Sequence, residues 1–344
     1  MTRTTAVVVS LLIGGALPAN ARILIVRPGH SIQAAVDSAK SGDTVLISPG
    51  TYHEAGRPCP LDPANTCAVV VEKSGISIVG QLAGFGAVKL ENAGGQDQGI
   101  AFAKPGADGA TCLADQTQRL QDEHVLGITV NGFAGEGIFL FCVDDWSIEL
   151  TSTNDNGEYD LFPSHCGAGR VSLNVATGAN DTGIYIGQSH DVRIDHNLAT
   201  GNVSGFELEN CSNSRLDHNV AEGNTGGILT FTNVFLDVKQ NADNRIDHNV
   251  SQNNNKPNTC LDPTDEVCAV PPGTGLLSSP RTATWSTTIW SPATTPSASR
   301  WPTSVRPTTC RRRIALRSTS SRIRTSTASV RTWRSETEAI RRRW

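Results

Sequence analysis

A repeat of 22–23 residues constrains this chain more than any other feature. Gly137-Ile138-Phe139-Leu140, Asp160-Leu161-Phe162-Pro163, Gly183-Ile184-Tyr185-Ile186, Gly205-Phe206-Glu207-Leu208 and Gly227-Ile228-Leu229-Thr230 begin at intervals of 23, 23, 22 and 22 residues. A second series runs in phase with them. Ile194-Asp195-His196-Asn197, Leu216-Asp217-His218-Asn219 and Ile246-Asp247-His248-Asn249 are nearly the same tetrapeptide three times. Each repeat holds short alternating runs, which read as strands, separated by Gly and Asn, which read as turns. A repeat this short leaves no room for a crossover helix, so βαβ units are excluded. The economical arrangement is an all-β solenoid, each strand pairing with its copy about 4.8 Å away. That predicts Ile138, Leu161, Ile184, Phe206 and Ile228 inside, and Asn174, Asn197, Asn219 and Asn249 as a hydrogen-bonded turn ladder.

The segment ahead of the repeats reads as a leader and a cap. Arg3, the apolar run Ala6–Leu17 and the small residues Ala19-Asn20-Ala21 predict a secretory signal over 1–21, too short for a spanning helix. Ile23–Val26 reads as a strand. Ser31–Ala39 reads as a short amphipathic helix with Ile32, Ala35, Val36 and Ala39 on one face, of the kind that closes an open solenoid end. Thr44–Ile47 is the next strand. Nine Cys in an exported chain point to disulfides. Cys59–Cys67 and Cys260–Cys268 could each close a local loop, whereas Cys112, Cys142, Cys166 and Cys211 cannot be paired from sequence.

Here a resemblance enters. The stretch His30-Ser-Ile-Gln-Ala-Ala-Val-Asp to Thr51-Tyr-His-Glu54, followed by Val71-Glu-Lys-Ser-Gly-Ile-Ser-Ile-Val-Gly80, resembles the N-terminal entry of right-handed parallel β-helix proteins of the pectin-lyase-like superfamily. The repeats resemble those of polysaccharide lyases, uronan epimerases and periplasmic carbohydrate-binding proteins. The resemblance spans about residues 23–277 and implies the fold; the superfamily hosts many chemistries.

Charge divides the chain. Residues 1–277 hold 15 Lys+Arg against 31 Asp+Glu, while residues 278–344 hold 14 Arg and 2 Glu and no Gly, Asn or Asp. The expected division is a signal over 1–21, a β-helix over 22–277 and a disordered basic tail over 278–344. The tail reads best as the product of a frameshift. Shifted by one base, Arg281–Thr303 admits Asn-Leu-Val-Thr-Gly-Asn, a near copy of Asn197–Asn202. On that reading the tail carries no evolved function, and no nucleic-acid partner is expected.

Chemistry is expected on the outer face of the Gly-led strands. Alternation sets out two columns: Phe139, Phe162, Tyr185, Glu207, Leu229, and Phe141, Ser164, Gly187, Glu209, Phe231. Aromatic faces stack on sugar rings and carboxylates bond hydroxyls, so Phe139, Phe162, Tyr185, Glu207 and Glu209 are the candidate substrate-binding residues. Glu207 and Glu209, about 7 Å apart at Cα, are candidate catalytic acids; a solvated strand face is the plain alternative. Tyr159–His165 loosely resembles the Tyr-Gly-x-Asp-Pro-His motif of alginate epimerases and lyases. The family's Asp falls on Phe162 and its His on Ser164, leaving His165 displaced by one and a further candidate only. The acidic balance disfavours a polyuronate unless Ca²⁺ bridges it. His196, His218 and His248 beside Asp195, Asp217 and Asp247 could take Cu or Zn, as in periplasmic copper-maturation β-helix proteins that they superficially resemble; a repeated polar turn is the alternative. These residues predict a secreted or periplasmic protein that is carbohydrate-binding or associated with the cell envelope, with a polysaccharide or cell-envelope glycan as its partner. Lyase, epimerase or hydrolase activity and metal handling are the alternatives.

Overall fold

The computed structural model describes residues 21–82, 86–278, 283–286 and 289–290. Three long sheets of ten, nine and nine strands run side by side through the repeats. In one coil, Thr182–Gly187 lies in the third sheet, Arg193–Asp195 in the first and Leu198–Thr200 in the second. Ser204–Glu209 then re-enters the third sheet beside Thr182–Gly187, with Ile184 opposite Phe206 and Tyr185 opposite Glu207. Pairing in all three sheets is parallel, apart from the short antiparallel contact of Arg57–Pro58 with Thr66–Cys67. The fold is a right-handed parallel β-helix.

The predicted interior is present. Ile138, Leu161, Ile184, Phe206 and Ile228 are fully buried and stack in register along the axis. The turn ladder follows: Asn174, Asn197 and Asn219 each donate through Nδ2 to the Oδ1 of the next Asn, at 3.0, 2.9 and 3.0 Å. A second ladder joins Asn202, Asn224 and Asn254 at 3.2 and 3.1 Å. Buried amides are tolerated because each rung satisfies its neighbour. The second ladder also explains the Gly that leads the repeats at 183, 205 and 227. A Cβ at Gly183 would stand 2.5 Å from Asn202 Nδ2, and one at Gly227 2.7 Å from Asn254 Nδ2. These glycines admit a close approach inside a strand; they do not make turns.

The N-terminal cap is the helix Ile32–Ser38. Ser31 caps it, accepting from the Ala34 amide at 3.0 Å, and Ile32 and Val36 are buried against the first coils. At the other end, backbone pairing passes the expected boundary at residue 277. Ala283–Ser286 pairs with Ala242–Ile246, and Ile289–Trp290 with Asn249–Val250. Parallel pairing needs backbone groups rather than a particular sequence, so the basic segment can extend the sheets for a few residues. The expected signal segment, apart from Ala21, and the rest of the basic tail lie outside the described residues.

Candidate functional site

The two outward columns form as expected, and the third sheet sets their register: Phe139 beside Phe162, Tyr185 beside Glu207, Glu207 beside Leu229 and Glu209 beside Phe231. The rings make a continuous stack. Phe139 and Phe162 have centroids 5.6 Å apart, Phe162 and Tyr185 4.5 Å, and Tyr159 closes on both Phe162 (4.5 Å) and Tyr185 (5.3 Å).

The columns do not form the open groove or the solvated face that alternation suggested. Phe139, Tyr185, Glu207, Glu209 and Leu229 are all buried. The early coils are roofed by the Cys59–Cys67 loop and by the segment carrying the helix Gly109–Ala114, pinned to the sheet through Cys112–Cys142. The last coils are roofed by Cys260–Val270, closed by Cys260–Cys268, with Val267 and Val270 packed on Leu229. Between the two roofs Tyr159 and Phe162 stay half-buried. Cys166 and Cys211 are buried free thiols, both pushed up to about 12 by burial.

A carboxyl cluster lies where the aromatic stack ends. Thr182 Oγ1 stands 2.7 Å from Glu207 Oε2 and 2.9 Å from Asp181 Oδ1. A hydroxyl has one proton to donate, so one of these two carboxyls supplies the second proton. Tyr185 donates to Glu209 Oε2 at 2.5 Å. Among the described residues no Lys or Arg is bonded to Asp181, Glu207 or Glu209. Burial pushes Asp181 up to about 7 and holds Glu207 and Glu209 above the usual carboxylate range, with mutual repulsion adding to the effect on Glu207. Such groups suit proton donation to a leaving oxygen. They do not suit β-elimination or epimerisation of a uronate, which needs a cation to neutralise the substrate carboxylate. Asp181, Thr182 and Tyr159 were not among the candidates. Following alternate residues back from Tyr185 through Gly183 would have reached Asp181.

His165 is buried on the neighbouring coil. Its Nδ1 is 3.0 Å from Ser164 Oγ, its ring packs on Phe141, and its Nε2 has no hydrogen-bond partner. Among the described residues the ring's hydrogen-bond, ion-pair and aromatic neighbours are Ser164, Asp237 and Phe141, not Glu207 or Glu209.

His196, His218 and His248 form a column elsewhere, at the turn between the first and second sheets. Their rings stack at 5.2 and 5.1 Å with planes within 6° of parallel. Each Nδ1 meets a buried carboxylate: Asp195 at 2.8 Å, Asp217 at 2.7 Å and Asp247 at 2.9 Å. Arg170, Arg193, Arg215 and Arg245 interleave with the same three carboxylates. Two imidazoles that share one ion approach to about 4 Å or less between nitrogens, with lone pairs that converge. Parallel rings more than 5 Å apart offer lone pairs that do not converge. Among the described residues no His, Cys, Asp and Glu are grouped to hold a metal ion.

A family model described as periplasmic copper-binding protein (NosD) matches residues 120–257, less than half of the chain. No curated protein matches. Among solved structures, the chain is similar to the A-module of an Azotobacter vinelandii mannuronan C-5 epimerase, at 19% identity, covering 64% of this chain and 66% of that one, with a TM-score of 0.49. A polygalacturonase from Erwinia carotovora matches at 13% identity over 71% of this chain and 80% of that one, with a TM-score of 0.49. Pectate lyase Pel9A matches at 14% over 78% of each chain, with a TM-score of 0.44. By its three parallel sheets, its stacked interior and its Asn ladders, the chain has the fold of the pectin-lyase-like right-handed parallel β-helix proteins.

Proposed function

We propose that this is an exported β-helix protein that binds a saccharide on the outer face of its third sheet. The observation that carries the reading is the ring stack Phe139–Phe162–Tyr185, flanked by Tyr159, running into the carboxyl cluster Asp181, Glu207 and Glu209. Sugars offer both an apolar C–H face and hydroxyls, and this surface offers partners for both. Three disulfides support an oxidising compartment outside the cytoplasm. The half-buried Tyr159 and Phe162 mark the entry, and protonated carboxyls behind them favour a neutral glycan over a polyuronate. Screening the mature protein on a glycan array, then titrating a hit calorimetrically, tests this. Phe162→Ala should weaken binding about fivefold or more, the range of a lost stacking contact; unchanged affinity would reject this face as the site.

A further inference from the structure

The outer face of the third sheet is bounded at both ends by loops of one design. Cys59-Pro60-Leu61-Asp62-Pro63 and Cys260-Leu261-Asp262-Pro263 each open a disulfide loop that closes eight residues on, at Cys67 and Cys268. In each, the Asp before Pro accepts at Oδ1 from the amide two residues on, Ala64 at 3.0 Å and Thr264 at 2.8 Å, a turn that stiffens the loop. At the N-terminal end Cys59 and Cys67 share a buried cluster with Ala101 and Phe139, and Leu61 and Phe162 pack against it. At the C-terminal end Val267 and Val270 pack on Leu229. This second loop is pinched at its base, where Asn258 Nδ2 lies 2.9, 3.3 and 3.0 Å from the carbonyl oxygens of Val267, Cys268 and Val270. It also reaches back toward the middle of the face: Asp265 stands near enough to Tyr159 and Asp181 for its charge to raise both, and Asp262 and Asp265 do the same to Glu158.

Burial along the strand starts shows what lies between the loops. Gln98, Glu136 and Tyr159 follow one another in register on three coils and are all half-buried; Gln98 Nε2 donates to Glu136 at 2.9 Å. The next two positions in that column, Thr182 and Ser204, are fully buried. The neighbouring column is half-buried at Phe162 and closed on either side by Phe139 and Tyr185. A shallow polar trench therefore approaches along the coils, widens onto the ring of Phe162 and ends against Asp181, Thr182 and Glu207, with the second disulfide loop beyond. Coils are about 4.8 Å apart, so the open steps span about 10 Å.

We propose that this face takes the end of a saccharide chain rather than its middle, and that the 260–268 loop is the stop. The chain lies along Gln98, Glu136 and Tyr159, and its terminal ring rests on Phe162 with its hydroxyls toward the carboxyls. A chain that ran on along the axis would have to displace Val267 and Val270 from Leu229, and the disulfide holds that loop in place. This rests on the saccharide reading and adds to it which part of the glycan is recognised.

Calorimetry separates the two. The probes are size-fractionated chains of one array-selected glycan, from the disaccharide to a long chain, titrated against the wild type. Affinity should level off at about three rings, the length of the trench. The long chain should take one protein each and bind within about twofold of the short one, because it offers one site and no multivalent gain. Replacing 259–269 with a short glycine linker opens the far end and leaves the coils untouched, since Asn258 already reaches Val270; urea denaturation checks that they persist. The long chain should then take several proteins. One protein per chain in this variant would overturn the role of the loop. Several wild-type molecules on each long chain, or affinity that climbs steadily with length, would overturn chain-end recognition and leave the saccharide reading standing. No binding by any chain would overturn both.

Discussion

The outer faces of the first and third sheets are built by the same repeat and solve their electrostatics in opposite ways. On the first sheet each buried carboxylate, Asp195, Asp217 or Asp247, sits between two Arg side chains and a His. That face is charged and compensated within itself. On the third sheet Asp181, Glu207 and Glu209 have hydroxyl partners and, among the described residues, no Lys or Arg bonded to them, and the sheet is roofed over. Acids without counter-charge are kept buried only at a cost in proton affinity, and such costs concentrate at functional sites. The first face therefore reads as structural reinforcement and the third as the place where chemistry or binding occurs.

The comparison can be broken most sharply by removing one acid from each face. Asp217→Ala removes the carboxylate shared by Arg193, Arg215 and His218, while Arg193 keeps Asp195 and Arg215 keeps Asp247; because those side chains are part-exposed, the loss should be about 1–3 kcal/mol by urea denaturation at neutral pH. Glu207→Gln keeps an acceptor for Thr182 and removes a forced protonation, so stability should be unchanged or higher. Equal losses in the two variants would erase the distinction.

The next effect is on pH dependence. A carboxyl raised in the folded state stabilises fully below its unfolded pKa, and that contribution is lost as pH rises through the folded value. For Asp181 the window runs from the usual carboxylate range up to about 7. Across it the stability of the wild type should decline by up to about 1.4 kcal/mol per pH unit, and Asp181→Asn should flatten that decline. Glu123 sharpens the test. It lies in the first sheet beneath the Gly75 and Ile76 amides, which donate to it at 3.2 Å, and burial pushes it up to about 9. A decline that continues from about 7 to 9 should be reduced in Glu123→Gln by the share that Glu123 contributes, and the part that remains belongs to the other buried carboxyls, Glu207 among them.

The smallest expected effect is at the His column. His196→Ala removes a ring that is 41% exposed and keeps the Arg170 and Arg193 contacts to Asp195. The change should stay within about 0.5 kcal/mol, measured by the same denaturation.

What the sequence disclosed follows its periodicity. Ile184, Phe206 and Ile228, and the Asn174–Asn249 ladder, were legible because each coil repeats them and stacking places like on like. The column order from Phe139 to Leu229 was legible for the same reason. The roof was not. Residues 104–118, 232–241 and 258–270 occur once each, so no period announces that they fold over the third sheet. The burial of Glu207 and Glu209, and the pairing of Cys112 with Cys142 rather than with Cys166 or Cys211, follow from those segments. His165 was a candidate only through a loose motif that it misses by one position, and the left-handed turn there (φ 55°) directs it toward Gly109 and Asp237.

The central claim is that the third-sheet face, and not the first, holds the ligand. The most direct measurement is calorimetric titration of one array-selected oligosaccharide into three proteins: wild type, Tyr159→Ala/Phe162→Ala, and Arg193→Ala/Arg215→Ala. Binding should weaken about tenfold or more in the aromatic double variant and remain within about twofold of wild type in the arginine variant, whose side chains lie on the other sheet. Retained affinity in the aromatic variant, or a loss confined to the arginine variant, would contradict the account.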